Sequence, residues 1–277
     1  MLRRSTARSE WTGMRAWAPI YYFCGIYQRI INVPDSSGGM RANRDFGRFD
    51  SVSLAGVAVF GALSAILAYF SQLLGLNFPI VPYLQFDFGE VAIIMALFLY
   101  GPVPAIMSCF VESVTLFAFG QNVPVGPVLK LFATVSTVLG VWGGVAFGSR
   151  LRRLSVRGMM GWGAAFGAAV RALIMTIPNY YLLVFLYTVP ALLGFLSSSF
   201  KLIGLNLTEG NALFLILGFT AIFNVLQLAL VMGISFGVLE LPQMSSLRTG
   251  GRAPWFVAVT ASSSDHPALD KTAAGQG

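Results

Sequence analysis

Six stretches of this chain are apolar and nearly free of charge: 51–74, 88–100, 103–119, 125–147, 162–189 and 212–239. A helix crossing the hydrocarbon core of a bilayer needs about 20 such residues. The pattern therefore predicts an all-α, polytopic membrane protein, a bundle of six transmembrane helices. The second run is short and spans only if the loop before it dips slightly into the membrane. Pro104 falls in the first turn of the third run, where proline is tolerated. Pro178 is interior to the fifth and predicts a kink there. Alternating strands of about 10 residues, the mark of a membrane barrel, are absent.

Between the first two runs lies the stretch that organises the rest, F-P-I-V-P-Y-L-Q-F-D-F-G-E, residues 78–90. Pro79 and Pro82 fix φ and remove backbone donors, so this lead-in is a loop. Asp87 or Gly89 can cap the helix that follows, and both Asp87 and Glu90 suit the positive end of its dipole. The reading is an ordered loop at a membrane surface with its two acids turned inward. The second helix then stops at Gly101-Pro102.

The flanks differ in kind. Residues 1–49 hold eight arginines without a clean period. They read as a basic N-terminal segment, disordered or preceding a true start at Met40. Residues 241–277 are rich in Ser, Gly, Pro and charge and read as a disordered cytoplasmic tail, apart from an apolar patch at 255–259. The transmembrane domain is then 50–240.

Composition narrows the chemistry. The chain is 56% apolar and only 10% charged, against about 25% charged in soluble domains. The formal charge of +7 calls for no nucleic acid, because most basic residues flank the apolar runs. Arg41, Arg44 and Arg48 precede the first run, Arg150, Arg152, Arg153 and Arg157 separate the fourth and fifth, and Arg248 and Arg252 follow the sixth. By the positive-inside rule both termini are cytoplasmic and the 78–90 loop is extracellular, in a multi-pass plasma-membrane protein. Cys24 and Cys109 form no disulfide or metal framework. The single histidine, His266, lies in the tail, which removes most histidine-based catalysis. No P-loop, H-E-x-x-H or G-x-S-x-G occurs. The chain is read as no enzyme, with no metal and no cofactor, and any transport it performs draws energy from a gradient or another subunit.

Ionisable groups within spans are costly and face the bundle interior. Here they are Asp87, Glu90, Glu112, Lys130 and Arg171, joined by the amides Asn179, Asn224 and Gln227. Counting about 1.5 Å of rise per residue puts Glu112 and Arg171 near the midplane, where a structural ion pair between them is expected. The same count brings Asp87, Glu90, Lys130 and Asn179 together near the outer surface. Phe86, Phe88, Phe132, Tyr180 and Tyr181 lie at that level. A mostly apolar cavity with a few convergent polar groups is the usual form of a small-molecule site; an interfacial aromatic belt with a snorkelling Lys130 is the alternative. Small-residue stripes, Ala58-x-x-x-Ala62 beside Gly61-x-x-x-Ala65 and Gly140-x-x-x-Gly144-x-x-x-Gly148, permit close helix approach. The last is expected inside the bundle, the first equally against a partner.

The stretch L84-Q-F-D-F-G-E-V-A-I-I-M-A-L-F-L-Y-G-P, then V-G-P-V-L-K-L-F, R-x-x-x-M-x-x-x-N and F-N-V-L-Q in order, resembles the substrate-binding S component of energy-coupling factor (ECF) transporters, riboflavin-type branch or an archaeal relative. The resemblance covers about residues 50–240. It implies a subunit that captures riboflavin or a related water-soluble vitamin from outside. It also implies a transmembrane coupling subunit and two cytoplasmic ATPase subunits as partners. The loop between the first two spans would be a lid, and spans four to six would line the pocket. Ligand-binding positions are then Leu84, Phe86, Asp87, Glu90, Lys130, Asn179, Tyr180, Asn224 and Gln227, and Ala58 and Ala62 match the family's docking pattern. Riboflavin binders commonly carry Asn-x-x-Lys in the sixth span, where this chain has Asn224-x-x-Gln227, and often Asn in the fourth, where it has Lys130. The cation has moved between helices, which puts riboflavin itself in question. A stand-alone ion-coupled carrier, with Glu112, Arg171 and Glu90 as a relay, is the alternative.

Overall fold

The computed structural model describes residues 51–119, 123–149, 156–186, 189–240 and 254–264. The basic segment 1–49 and its expected disorder lie outside the described residues. Every regular element described is helical: α1 (Ser51–Leu74), α2 (Gly89–Tyr100), α3 (Pro102–Phe119), α4 (Val125–Gly148), α5 (Val156–Tyr181), α6 (Val189–Leu202), α7 (Ala212–Leu239) and α8 (Trp255–Ser264). Helices α1, α3, α4, α5 and α7 are long and apolar enough to cross a membrane, as befits a multi-pass membrane protein.

The second expected span is the exception. Helix α2 has 12 residues, a length of about 18 Å against a hydrocarbon core of about 30 Å. All its residues except Val91 and Tyr100 are buried. It meets protein instead of lipid, touching α1, α3, α4, α7 and α8. A short helix with a loop at membrane depth is tolerated where the backbone is enclosed by protein. Its far end is Gly101, whose φ of 96° favours glycine. The Gly101 N–H closes the helix on Leu97 O at 2.9 Å, and Pro102 opens α3.

Helices α4 and α5 share the largest helix interface, and glycine makes it. A Cβ on Gly140 would lie 2.7 Å from Gly167 Cα, and one on Gly144 would lie 2.8 Å from Gly163 Cα. The expected inward stripe on α4 thus meets a matching stripe on α5.

Two expectations need correction. The fifth span does not run from 162 to 189. Helix α5 starts at Val156 and passes, four residues after Pro178, into a π-helical turn, Leu182–Leu186. A separate helix, α6, follows where a loop was expected. Its Leu196 and Phe200 are fully buried, and with Leu193 they recur at i, i+3 and i+7, the spacing of one helix face. The tail is not disordered throughout either. Helix α8 places Trp255 and Phe256 in the main core, with Trp255 over Gly101 and Phe256 5.2 Å from the Phe98 ring. The apolar patch at 255–259 had a face of α2 to cover.

Candidate binding site

The loop joining α1 to α2 bonds chiefly to itself. Asn77 and Gln85 form an antiparallel bridge. Phe78 N–H donates to Leu84 O at 2.7 Å, Phe86 N–H to Leu76 O at 2.9 Å, and Leu84 N–H to Val81 O at 3.0 Å. Pro79 and Pro82 occupy the bend, where no donor is required. The resulting hook buries Phe78 and Val81 against Leu196 and Phe200 of α6 and Ile216 and Phe223 of α7. Phe86 and Phe78 lie 5.1 and 5.6 Å from the Phe223 ring. Aromatic contacts at such spacing contribute about 0.5–1.5 kcal/mol each beyond area burial.

Where the hook meets α2 it is held at Asp87. The Gln227 side chain grips the Asp87 backbone twice: Nε2 donates to its carbonyl at 2.6 Å, and Oε1 accepts its N–H at 3.3 Å. The Asp87 carboxylate accepts the Gly89 N–H at 2.6 Å and pairs with Lys130. Lys130 also lies 3.3 Å from Glu112 Oε1, which receives Ser64 Oγ at 2.6 Å. Gly89 is required here, since a Cβ would fall 2.5 Å from Ser64 O and 2.8 Å from Glu112 Oε1.

One turn deeper, Glu90 is buried and takes Arg171 bidentately. The guanidinium also donates to Asn224 Oδ1 at 2.9 Å and Thr137 Oγ1 at 2.8 Å. Arg171 on α5 thereby ties together α2, α4 and α7. Burying such a pair is costly, and only good geometry with added hydrogen bonds offsets that cost; both are present.

Under the hook is a cavity of about 190 Å³. Leu84, Phe86, Asp87, Glu90, Lys130, Asn179 and Asn224 border it, as do Tyr83, Arg171, Met175 and Phe223. Lys130 is turned inward and largely buried and does not snorkel. Gln227 is buried and holds the hook instead of bordering the cavity. Tyr180 is exposed, packs edge-on to Tyr181 and is no part of the cavity wall. About 100° of rotation per residue turns it away from its neighbour Asn179. Phe132 and Tyr181 are likewise exposed. The expected Glu112–Arg171 pair does not form: Arg171 takes Glu90, and Glu112 faces Lys130 and Ser64. Ala58 and Ala62 lie exposed on the outside of α1. Gly61 and Ala65 turn inward, Gly61 against Val111 of α3. Tyr83, Thr137, Ser64 and Phe223 escaped the sequence reading of the site. A hydroxyl in a span carries no mark of its own, although Phe223 adjoins the noted Asn224.

No protein-family model matches the chain. The riboflavin transporter RibU of Staphylococcus aureus (strain TCH60) is 25% identical over 167 residues, 59% of this chain and 82% of that protein. A solved S component of a bacterial ECF transporter aligns with a TM-score of 0.49 at 20% identity, over 67% of this chain and 92% of that one. The chain, itself a helical membrane bundle, is thus similar to the riboflavin transporter RibU along most of that protein's length.

Proposed function

We propose that the chain is the substrate-binding subunit of an ECF-type vitamin importer, capturing riboflavin or a related water-soluble vitamin at the outer face for ATP-driven uptake by partner subunits. The observation that supports this most is the cavity beneath the hook, with aromatic and amide groups converging on it, in a relative of a riboflavin transporter. Phe86, Phe223 and Tyr83 offer flat apolar surface to a heteroaromatic ring, and Leu84 completes that side. Asp87, Lys130, Asn179 and Asn224 supply polar contacts, while Glu90 and Arg171 brace the wall. The hook acts as a lid, opening when Asp87 leaves Lys130. The positive-inside rule favours both termini in the cytoplasm and the lid outside. The exposed Ala58 and Ala62 face of α1 docks the transmembrane coupling subunit, which carries two ATPase subunits. No catalytic step belongs to this chain.

The test is purification from membranes followed by mass spectrometry of released small molecules and a fluorescence-quenching titration with riboflavin. A flavin that co-purifies or saturates at or below micromolar concentration supports the reading. Absence of binding by any vitamin, with no coupling subunit co-purifying, overturns it. Uptake driven by a pH gradient into liposomes holding this chain alone would establish a stand-alone carrier instead.

A further inference from the structure

We infer that Glu112 is the second seat of Lys130: when the hook opens and Asp87 departs, the ammonium passes to Glu112, which gives up a proton that it holds while the hook is closed. This rests on the hook acting as a lid. Glu112 is fully buried on α3, and two observations place the proton there. The first is Ser64, whose Oγ lies 2.6 Å from Glu112 Oε1 and 2.9 Å from Gly89 O. A hydroxyl has one hydrogen to give to these two oxygens. A proton on Oε1 satisfies all three groups: Glu112 donates to Ser64 Oγ, and Ser64 donates to Gly89 O. The second is Glu112 Oε2, which is buried without a hydrogen-bond partner. As the carbonyl oxygen of a neutral acid it costs far less than as half of a carboxylate. Charge balance agrees. Lys130 of α4 is paired with Asp87 and lies 3.3 Å from Glu112 Oε1. Glu90 of α2 is matched by Arg171 of α5. Helix α1 has no acidic or basic residue and contributes Ser64. Cys109, on α3 itself, gives its thiol hydrogen to Ala105 O. With Glu112 neutral, the cluster carries no net charge.

Opening the hook upsets that balance. Asp87 enters water as a carboxylate, and Lys130 is left as a buried cation without a counter-charge, a costly state. Glu112 is already within reach. Its O–H bond breaks, the proton goes to water admitted by the opening, and an N–H of Lys130 donates to the carboxylate that remains. The closed state therefore holds one proton more than the open one. Acid favours closure, and rising pH favours opening by up to about 10-fold per pH unit. A solute beneath the hook is held more firmly on an acidic side of the membrane.

The full chain is reconstituted in lipid nanodiscs without solute, and two signals are followed as pH is varied. One is the infrared carbonyl stretch of a protonated carboxylic acid. The other is hydrogen exchange at the backbone amides of residues 76–88, corrected for the intrinsic rate. An acid band is expected in the wild type at neutral pH and is lost in Glu112→Gln. It is also lost in Asp87→Asn, where Lys130 already sits on an intact Glu112; an acid with a merely structural role would keep its band there. Hook opening rises by up to ~10-fold per pH unit in the wild type and is flat in Glu112→Gln. Absence of the band from the wild type, its survival in either variant, or wild-type opening indifferent to pH overturns the inference. Riboflavin quenching on the same samples tests the vitamin reading separately. A pH-linked hook on a chain that binds no vitamin sinks that reading and keeps the proton exchange, and a vitamin binder without the band does the reverse.

Discussion

Arg171 concentrates the stability of the site in one side chain. Replacing it by Ala strands Glu90 in a buried position, a loss of about 3–5 kcal/mol. The expected result is a clear fall in Tm in detergent, read by tryptophan fluorescence or scanning calorimetry. Arg171→Lys restores little, because an ammonium cannot reproduce the two parallel bonds to Glu90 or the lateral bond to Asn224. That Arg171, Lys130 and Glu112 point inward was legible from their isolation among apolar residues. Which partners they take was not. Depth counted along each helix assumes that all spans start at one surface, whereas α2 starts beneath the hook. Glu90 therefore lies deep enough to reach Arg171, and Glu112 is left to Lys130. Tyr180 misled for a simpler reason: an aromatic at the right depth was on the wrong side of its helix.

Among the elements, the hook hangs on Gln227. Gln227→Ala removes two bonds to the Asp87 backbone, each contributing about 0.5–1.5 kcal/mol. Vitamin dissociation is expected to quicken about 10-fold, measured by stopped-flow quenching. The α4–α5 seam has the opposite profile. A Leu at Gly144 would drive its Cβ to 2.8 Å from Gly163 Cα and force the helices apart. Destabilisation of at least about 3 kcal/mol is expected, visible as poor yield and early melting. The Gly140–Gly148 stripe was readable as a packing face, while its partner on α5 emerges only when two helices are laid together. Helix α6 was illegible because Pro190, Gly194 and Ser197 to Ser199 give its run a loop's composition. Only the burial of Leu193, Leu196 and Phe200 against the hook gives that run a reason to coil.

At the scale of the whole molecule, α1 divides its small residues between two duties. Gly61 and Ala65 seat it on the bundle, and Ala58 and Ala62 leave a shallow outer face. Ala62→Trp is expected to abolish co-purification of a coupling subunit and to leave vitamin affinity within ~2-fold. Loss of vitamin binding in that variant would mean the face belongs to the fold. The helical membrane bundle itself was legible from apolar runs alone, because a bilayer leaves so few ways to satisfy the backbone. The docking of α8 was not, since ten residues of mixed composition show no preference for a surface until Gly101 provides one.

That docking leaves a natural optical reporter in place. Trp255 is only 2% exposed and its indole rests on the glycine that ends α2, so its emission will sit toward the blue. A solvatochromic red shift of that signal during turnover, absent in Trp255→Phe, would time the moment water reaches the end of the protein farthest from the solute's point of arrival.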